Sequence, residues 1–149
     1  MLGPVSAIGG SRCPICADGR PLDVIAELDT AWVSAPPAAV LPGYACVVAR
    51  RHVEEPFHLP DAEMVAFWRE AMAVARALDS LLEPRKMNYE IHGNSIPHLH
   101  LHLYPRFPGD PFEGRPIAMD APAFTRTDDD LRRMADALAA VGRGTSRTA

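Results

Sequence analysis

The sequence predicts an α+β fold in which antiparallel strands are packed by one long helix and a second helix near the C-terminus. Short apolar runs bounded by turn residues predict the strands. Apolar residues at helical spacing over about residues 61–83 predict the long helix. The 149 residues are expected to form a single domain, 1–149, long enough to bury a hydrophobic core.

The first half of the chain predicts a loose arm, a hairpin and a central strand. Residues 1–12 are rich in glycine and predict the arm. Two runs, 24–28 and 31–34, flank Asp29 and Thr30 and predict a β-hairpin. Residues 44–49 are apolar throughout, as in a central strand.

The second half begins with the long helix, for which Asp61 is the expected N-cap or first-turn acid and Pro84 the end. Strands are then predicted at 87–91 and 96–104, joined by a polar turn at 92–95. Residues 105–122 predict an extended loop, and an acid-rich start at 127–130 predicts a helix to about Val141. The tail, 143–149, is expected to fray.

Composition limits the class of protein. A net charge of −4 argues against a general nucleic-acid binder. No secretion signal or membrane span is recognisable, so the expected location is the cytoplasm. In that compartment a Cys-x-x-Cys pair is better interpreted as metal-binding or redox-active than as a structural disulfide.

The most informative stretch is the alternation of histidine and leucine over 96–104. In a strand, His98, His100 and His102 would lie on one face, about 6.5–7 Å apart, with the leucines on the other. A single strand histidine is usually structural, but three in register indicate an active centre.

This stretch resembles the signature of the histidine triad superfamily, and the similarity extends over about residues 13–107. Cys13-x-x-Cys16, the segment 47–52, the long helix, and Asn88 ahead of 93–95 follow in the family's order. The resemblance implies a HIT-like fold of about five antiparallel strands with a long helix. It also implies a nucleotide hydrolase or nucleotidyl transferase that acts on an α-phosphate, commonly as a homodimer.

The resemblance assigns catalytic roles to two histidines. His100 matches the nucleophile, and its imidazole is partly unprotonated at pH 7 because the ordinary pKa is near 6.5. His102 matches the position on the leaving-group side, with a polarising or general-acid role.

Four residues are predicted to bind substrate: Asn88, Gly93, Asn94 and Ser95. A glycine lets backbone approach a phosphate closely, and the neighbouring side chains supply hydrogen-bond donors. Asn94 departs from the glutamine that is commoner in the family. His92 is left unassigned.

The resemblance also implies a structural Zn²⁺, because Cys13, Cys16, His52 and His98 match the zinc-bearing members and suit tetrahedral coordination. Such an ion would tie the N-terminal arm to the start of the histidine strand. His58 is the second choice for His52. A thioredoxin-like redox pair is the competing interpretation, but no βαβ pattern follows the cysteines.

For some further residues an ordinary structural role, solvation or core packing, is the first interpretation. Arg50, Arg51 and Arg106 could attract polyphosphate, but exposed arginines at strand ends are usually only solvated, and this is the role expected for them. An apolar base pocket could draw on Ile25, Leu28 and Trp32, although core packing is the more common role for each.

The favoured hypothesis is an enzyme that works through a nucleotidyl-histidine. Its expected substrates are dinucleoside polyphosphates such as diadenosine tetraphosphate, or nucleoside phosphoramidates. One alternative is a nucleotide-binding regulatory protein with little turnover. Another is nucleotide transfer to a sugar phosphate, as in the related uridylyltransferases.

Overall fold

A computed structural model describes residues 13–118 and 120–144, and the predicted N-terminal arm, 1–12, lies outside them. Its centre is a five-stranded antiparallel sheet in the order β1-β2-β4-β6-β5. The strands of this sheet are β1 (Val24–Glu27), β2 (Ala31–Ser34), β4 (Ala45–Ala49), β5 (Lys86–Ile91) and β6 (His100–Arg106). The helices are α1 (Pro14–Asp18), α2 (Asp61–Leu82) and α3 (Asp128–Gly144). The predicted α+β fold is therefore confirmed.

The hydrophobic core lies between α2 and one face of the sheet. Alternate side chains of β4 and β6 point to this face. Among them are Val47, Leu101 and Leu103, which are at most 1% exposed. Phe67 and Leu78 of α2 are fully buried in the same cluster. This packing fixes the two central strands, whose other face then carries His100 and His102.

A buried carboxylate fastens the β1–β2 hairpin to α2. Glu70 is only 3% exposed and accepts hydrogen bonds from the backbone N–H and the hydroxyl of Thr30, the latter at 2.7 Å. A carboxylate at this depth is tolerated because its oxygens are satisfied. Leu28 and Ile25 of this hairpin pack with the core, as expected for them in preference to a base pocket.

The ends of α2 differ slightly from the expected ones. Pro60 is the N-cap and forms no side-chain cap, so Asp61 is a first-turn acid. The helix ends at Leu82 because Glu83 adopts a left-handed conformation, with φ of 51°, just before Pro84.

The histidine strand starts later than predicted, at His100 rather than at Ile96. Pro97 has no N–H to donate to a ladder, and the N–H of His98 bonds back to the carbonyl of Ile96 at 2.8 Å. His98 thus lies outside the strand, so the two-residue alternation that was expected to place all three imidazoles on one face does not extend to it.

The end of β6 also differs, because Pro105 and Arg106 belong to the strand and not to the following loop. Pro105 is tolerated because the first residue of β4, Ala45, pairs with Leu103, so beyond Leu103 β6 is paired only with β5. The expectation that Arg106 is solvated is wrong: it is 9% exposed and pairs with Asp110 at 2.8 Å.

Two features near the C-terminus were not predicted. A two-stranded sheet joins β3 (Ala38–Ala39) to β7 (Phe124–Thr125). Helix α3 reaches Gly144, beyond the predicted end near Val141, and the rest of the predicted frayed tail lies outside the described residues. Within 13–118 and 120–144, no helix combines the length and the apolar character needed to cross a bilayer.

Candidate functional site

Two imidazoles share the face of the sheet opposite α2. Along β6, His100 lies across from Val48 and His102 across from Cys46, both on β4. The two rings meet edge to face with their centroids 4.8 Å apart. The two-residue period of the sequence therefore brings His100 and His102 together.

The orientation of His100 is set by the backbone before the strand. Its Nδ1 lies 2.6 Å from the carbonyl oxygen of His98. A carbonyl only accepts hydrogen bonds, so Nδ1 carries the proton and Nε2 keeps its lone pair. This is the tautomer in which Nε2 can act as a nucleophile.

The His102 ring is half-buried, and this burial determines its charge. Burial, with smaller effects from His100 and His92, lowers its pKa to about 4. The ring is therefore neutral at pH 7. Its Nδ1 is 2.7 Å from the hydroxyl of Tyr44, a contact that the sequence analysis missed. Nothing in the sequence signals this contact, because it depends on the pairing of β4 with β6.

A cavity of about 270 Å³ opens onto the histidine pair. Apolar side chains of α1 and of the segments around it form much of the wall, including Ile15, Leu22 and Ile96. Asp18 and Asp23 supply carboxylates at the same cavity. An apolar wall with a few polar groups is typical of a small-molecule site. Trp32 does not line this cavity; its ring stacks under the guanidinium of Arg50.

The predicted phosphate-binding turn lies between β5 and β6. Gly93 has φ of +92°, a conformation that favours glycine. Gly93, Asn94 and Ser95 are not part of the cavity wall, which the next residue, Ile96, joins. His92 lies at the start of the turn, 3.0 Å from Glu90, with its ring centroid 6.0 Å from that of His102.

Asn88 lies away from this cavity. It is on β5, where its Oδ1 accepts a hydrogen bond of 2.7 Å from Arg106, and it lines a separate open depression along the edge strand.

A second cluster joins α1 to the segments that precede α2 and β6. The Sγ atoms of Cys13 and Cys16 and the Nδ1 atoms of His52 and His98 all lie within 4.8 Å of one another. Cys16 Sγ is 3.2 Å from His52 Nδ1, and Cys13 Sγ is 3.4 Å from His98 Nδ1. Two thiols and two imidazole nitrogens converging in this way suit a tetrahedral metal ion. These four residues could therefore bind a metal.

A hydrogen bond of His98 favours metal binding through its Nδ1. His98 is 1% exposed, and its Nε2 donates to the carbonyl of Ala49 at 2.7 Å. That bond leaves the lone pair on Nδ1, which faces the cysteines. Burial also lowers the pKa of His98 and keeps the ring neutral, as a metal ligand must be.

Helix α1 positions the two cysteines of the cluster. Cys13 Sγ caps the helix by accepting from the N–H of Cys16, and Pro14 occupies the first helical position. Burial and the neighbouring Cys13 raise the pKa of Cys16 to about 11, so a bound metal must displace a thiol proton. His58, the second-choice ligand, is not in the cluster; its ring contacts Phe57.

Comparison with known proteins places these features in a family. A family model for the HIT domain matches residues 20–109. No curated protein matches the sequence. The fold is similar to that of a histidine triad protein from Bradyrhizobium japonicum, with a TM-score of 0.72 and 25% identity over 80% of this chain and 89% of the other.

Two further solved structures are similar. A histidine triad protein from Marinobacter aquaeolei gives a TM-score of 0.71 and 24% identity, covering 81% of this chain and 88% of its own. A Zn-bound histidine triad family protein from Mycobacterium smegmatis gives a TM-score of 0.67 and 21% identity, covering 91% and 99%.

Proposed function

Because the chain belongs to the HIT domain family, whose members are generally nucleotide hydrolases or transferases, we propose that it cleaves nucleotides at the α-phosphate with His100 as nucleophile. The observation that carries the proposal is the hydrogen bond from His100 Nδ1 to the His98 carbonyl at 2.6 Å. It reserves the Nε2 lone pair for attack, at the cavity that His100 lines.

The proposed reaction has two displacements. The Nε2 lone pair of His100 forms a bond to the α-phosphorus, and the bond from phosphorus to the leaving group breaks. Water then attacks the phosphorus of the nucleotidyl-histidine and the P–N bond breaks. The nucleotide leaves with the water oxygen, the protons of the water pass to solvent, and the imidazole returns to its neutral form. Two easier displacements replace one difficult one. A different acceptor in place of water would make the same site a transferase.

We assign His102 to the leaving-group side, within reach of the same phosphate as its neighbour. Because burial keeps its ring neutral, it would act by donating a hydrogen bond rather than as a cation. Gly93, Asn94 and Ser95 are proposed to bind the phosphate oxygens from the turn before β6. Asn88 lines the depression along β5 and is proposed to assist where the substrate extends beyond the cavity.

The proposed substrates are dinucleoside polyphosphates such as diadenosine tetraphosphate, or nucleoside phosphoramidates. The apolar wall formed by Ile15, Leu22 and Ile96 suits a base, and the carboxylates of Asp18 and Asp23 suit ribose hydroxyls.

The metal is proposed to be a structural Zn²⁺ held by Cys13, Cys16, His52 and His98. Zinc would supply folding free energy and no chemistry at the substrate. A cytoplasmic location is proposed because reduced thiols persist there. A homodimer is proposed because β5 is an edge strand, with no further strand paired to its outer side within residues 13–118 and 120–144.

The decisive experiment is intact-protein mass spectrometry after brief mixing with diadenosine tetraphosphate or adenosine phosphoramidate, with products quantified in parallel. We expect an added nucleotidyl mass and accumulating AMP in the wild type. In His100→Ala both should disappear, while AMP binding stays within about tenfold. His58→Ala, at an exposed position outside the site, is the matched control and should behave as wild type.

Unchanged turnover in His100→Ala would refute the nucleophile. Saturable AMP binding without adduct or product would favour the nucleotide-binding regulatory protein instead.

A further inference from the structure

The hydroxyl of Tyr44 lies behind the histidine pair, 2.7 Å from His102 Nδ1. We propose that Tyr44 is a positioning residue that donates its phenol proton to His102 Nδ1 and so holds the proton of neutral His102 on Nε2. Its importance for turnover rests on the proposed function, but the hydrogen bond itself does not.

The direction of this hydrogen bond follows from the groups around the phenol. Burial raises the pKa of Tyr44 far above its usual range, so the hydroxyl keeps its proton. The thiol of Cys46 also contacts this hydroxyl, and burial raises the pKa of that thiol to about 12, so it stays protonated. A neutral imidazole nitrogen is a better acceptor than a thiol sulfur. The phenol proton therefore goes to His102 Nδ1.

Two residues, Tyr104 and Arg126, hold Tyr44 in place. Its ring stacks on Tyr104 with centroids 4.8 Å apart and an interplanar angle of 19°. The guanidinium of Arg126 lies 6.0 Å from the ring centroid, and its Nη1 donates to the Tyr44 carbonyl at 2.6 Å. Arg126 is 4% exposed and also donates to the Pro36 carbonyl. These contacts restrict the phenol to the position that meets His102.

The tautomer of His102 determines which atom of its ring can donate to the leaving group. With Nδ1 occupied by the phenol, the N–H of His102 is on Nε2, the opposite nitrogen of the ring. A donor fixed in advance stabilises negative charge on a departing oxygen without reorganisation during the step. If the ring could rotate or change tautomer, part of the population would present a lone pair to that oxygen instead.

Tyr44→Phe removes the hydroxyl and keeps the ring, so it isolates this hydrogen bond. Tyr104→Phe is the matched control, since Tyr104 belongs to the same stack and makes only ring contacts with His102 among the described contacts. The measurements are the ¹⁵N chemical shifts of the His102 ring at pH 7, and kcat and KM for diadenosine tetraphosphate.

In the wild type we expect Nε2 protonated and Nδ1 unprotonated with the shift of a hydrogen-bonded acceptor. Tyr44→Phe should move the Nδ1 shift to that of a free acceptor and lower kcat about tenfold to a hundredfold, with KM within about threefold. Tyr104→Phe should change neither quantity by as much as twofold.

A wild-type His102 protonated on Nδ1 would overturn the proposal whether or not the variant folds. An Nδ1 shift that is the same in Tyr44→Phe and wild type would also overturn it, as would an equal loss of kcat in Tyr104→Phe. If the wild type does not turn over the nucleotide at all, the proposed function fails, and the chemical shifts still decide the role of Tyr44.

Discussion

His98 performs two tasks with different parts of one residue. Its ring joins the Cys/His cluster through Nδ1 and is anchored to Ala49 through Nε2, while its carbonyl orients His100. The sequence could predict His100 and His102 because the alternation fixes their face. It could not predict Tyr44, because this residue, just before β4, reaches His102 only through the register of β4 with β6.

Arg106 is the residue whose environment departs most from the sequence expectation. Its guanidinium donates to both oxygens of Asp110, to Asn88, and to the carbonyls of Phe112 and Arg115. The sequence predicts a solvated arginine there because all of these partners lie in a loop or on the neighbouring strand. Arg106 thus organises the loop that follows β6.

Replacing Arg106 by lysine should destabilise the fold by about 2–3 kcal/mol, since an ammonium cannot replace a planar group with five donors. The hydrogen bond from Arg106 lowers the pKa of Asp110 to about 2, so the pair stabilises the protein fully above pH 4 and less as pH falls toward 2. Arg106→Lys should flatten this acid dependence. Urea unfolding at several pH values measures both effects.

The control is Arg51→Lys, at an exposed pair with Glu63, which should lower the free energy of unfolding by less than about 0.5 kcal/mol. An equal loss of stability in both variants would contradict the role assigned to Arg106.

At the scale of elements, the sequence predicts the long or strongly patterned ones well. The hairpin of β1 and β2, the central strand β4, helix α2 and strand β5 all lie close to their expected bounds. The pair β3 and β7 could not be predicted, because two residues per strand carry no periodicity. The start of β6 is displaced by Pro97 and by the contacts of His98, which are tertiary.

The turn before β4 packs against the end of α2. Gly43 has φ of +76°, and a Cβ there would collide with Leu82 Cδ1 and lie 3.1 Å from Pro105 Cγ. Gly43→Ala should cost about 2 kcal/mol, from the strained backbone together with the displacement of Leu82. Gly109 has a similar φ of +78° but open space around it, so Gly109→Ala should cost only about 1 kcal/mol. Equilibrium unfolding of both variants isolates the packing contribution, and equal costs would show that Leu82 is not displaced.

At the scale of the whole molecule, the Cys/His cluster of Cys13, Cys16, His52 and His98 connects segments of the chain that lie outside the central sheet. None of its four residues lies in a strand: Cys13 and Cys16 belong to α1 and its N-cap, and His52 and His98 lie in the segments before α2 and β6. Cys-x-x-Cys spacing made the cluster predictable from sequence, while the choice of His52 over His58 depended on the resemblance. A metal bound there would hold one wall of the cavity, because Ile15 lies between the two cysteines.

Cys13→Ala should therefore lower the zinc content and the melting temperature together, the latter by about 10 °C, because a structural metal contributes folding free energy directly. Cys46→Ala removes a cysteine outside the cluster and should leave the zinc content unchanged. Elemental analysis and thermal unfolding of both variants measure this. A wild type that purifies without metal, and melts at the same temperature with and without a chelator, would end the zinc proposal.

The double role of His98 has a thermodynamic consequence. If a metal held by the His98 ring further fixes the carbonyl that orients His100, it would raise the affinity for a nucleotide whose phosphate lies against His100. Binding free energies are reciprocal, so whatever factor the metal adds to nucleotide affinity, the nucleotide must add to metal affinity. The two sites would then share one coupling free energy, carried by a single residue from its imidazole to its carbonyl oxygen.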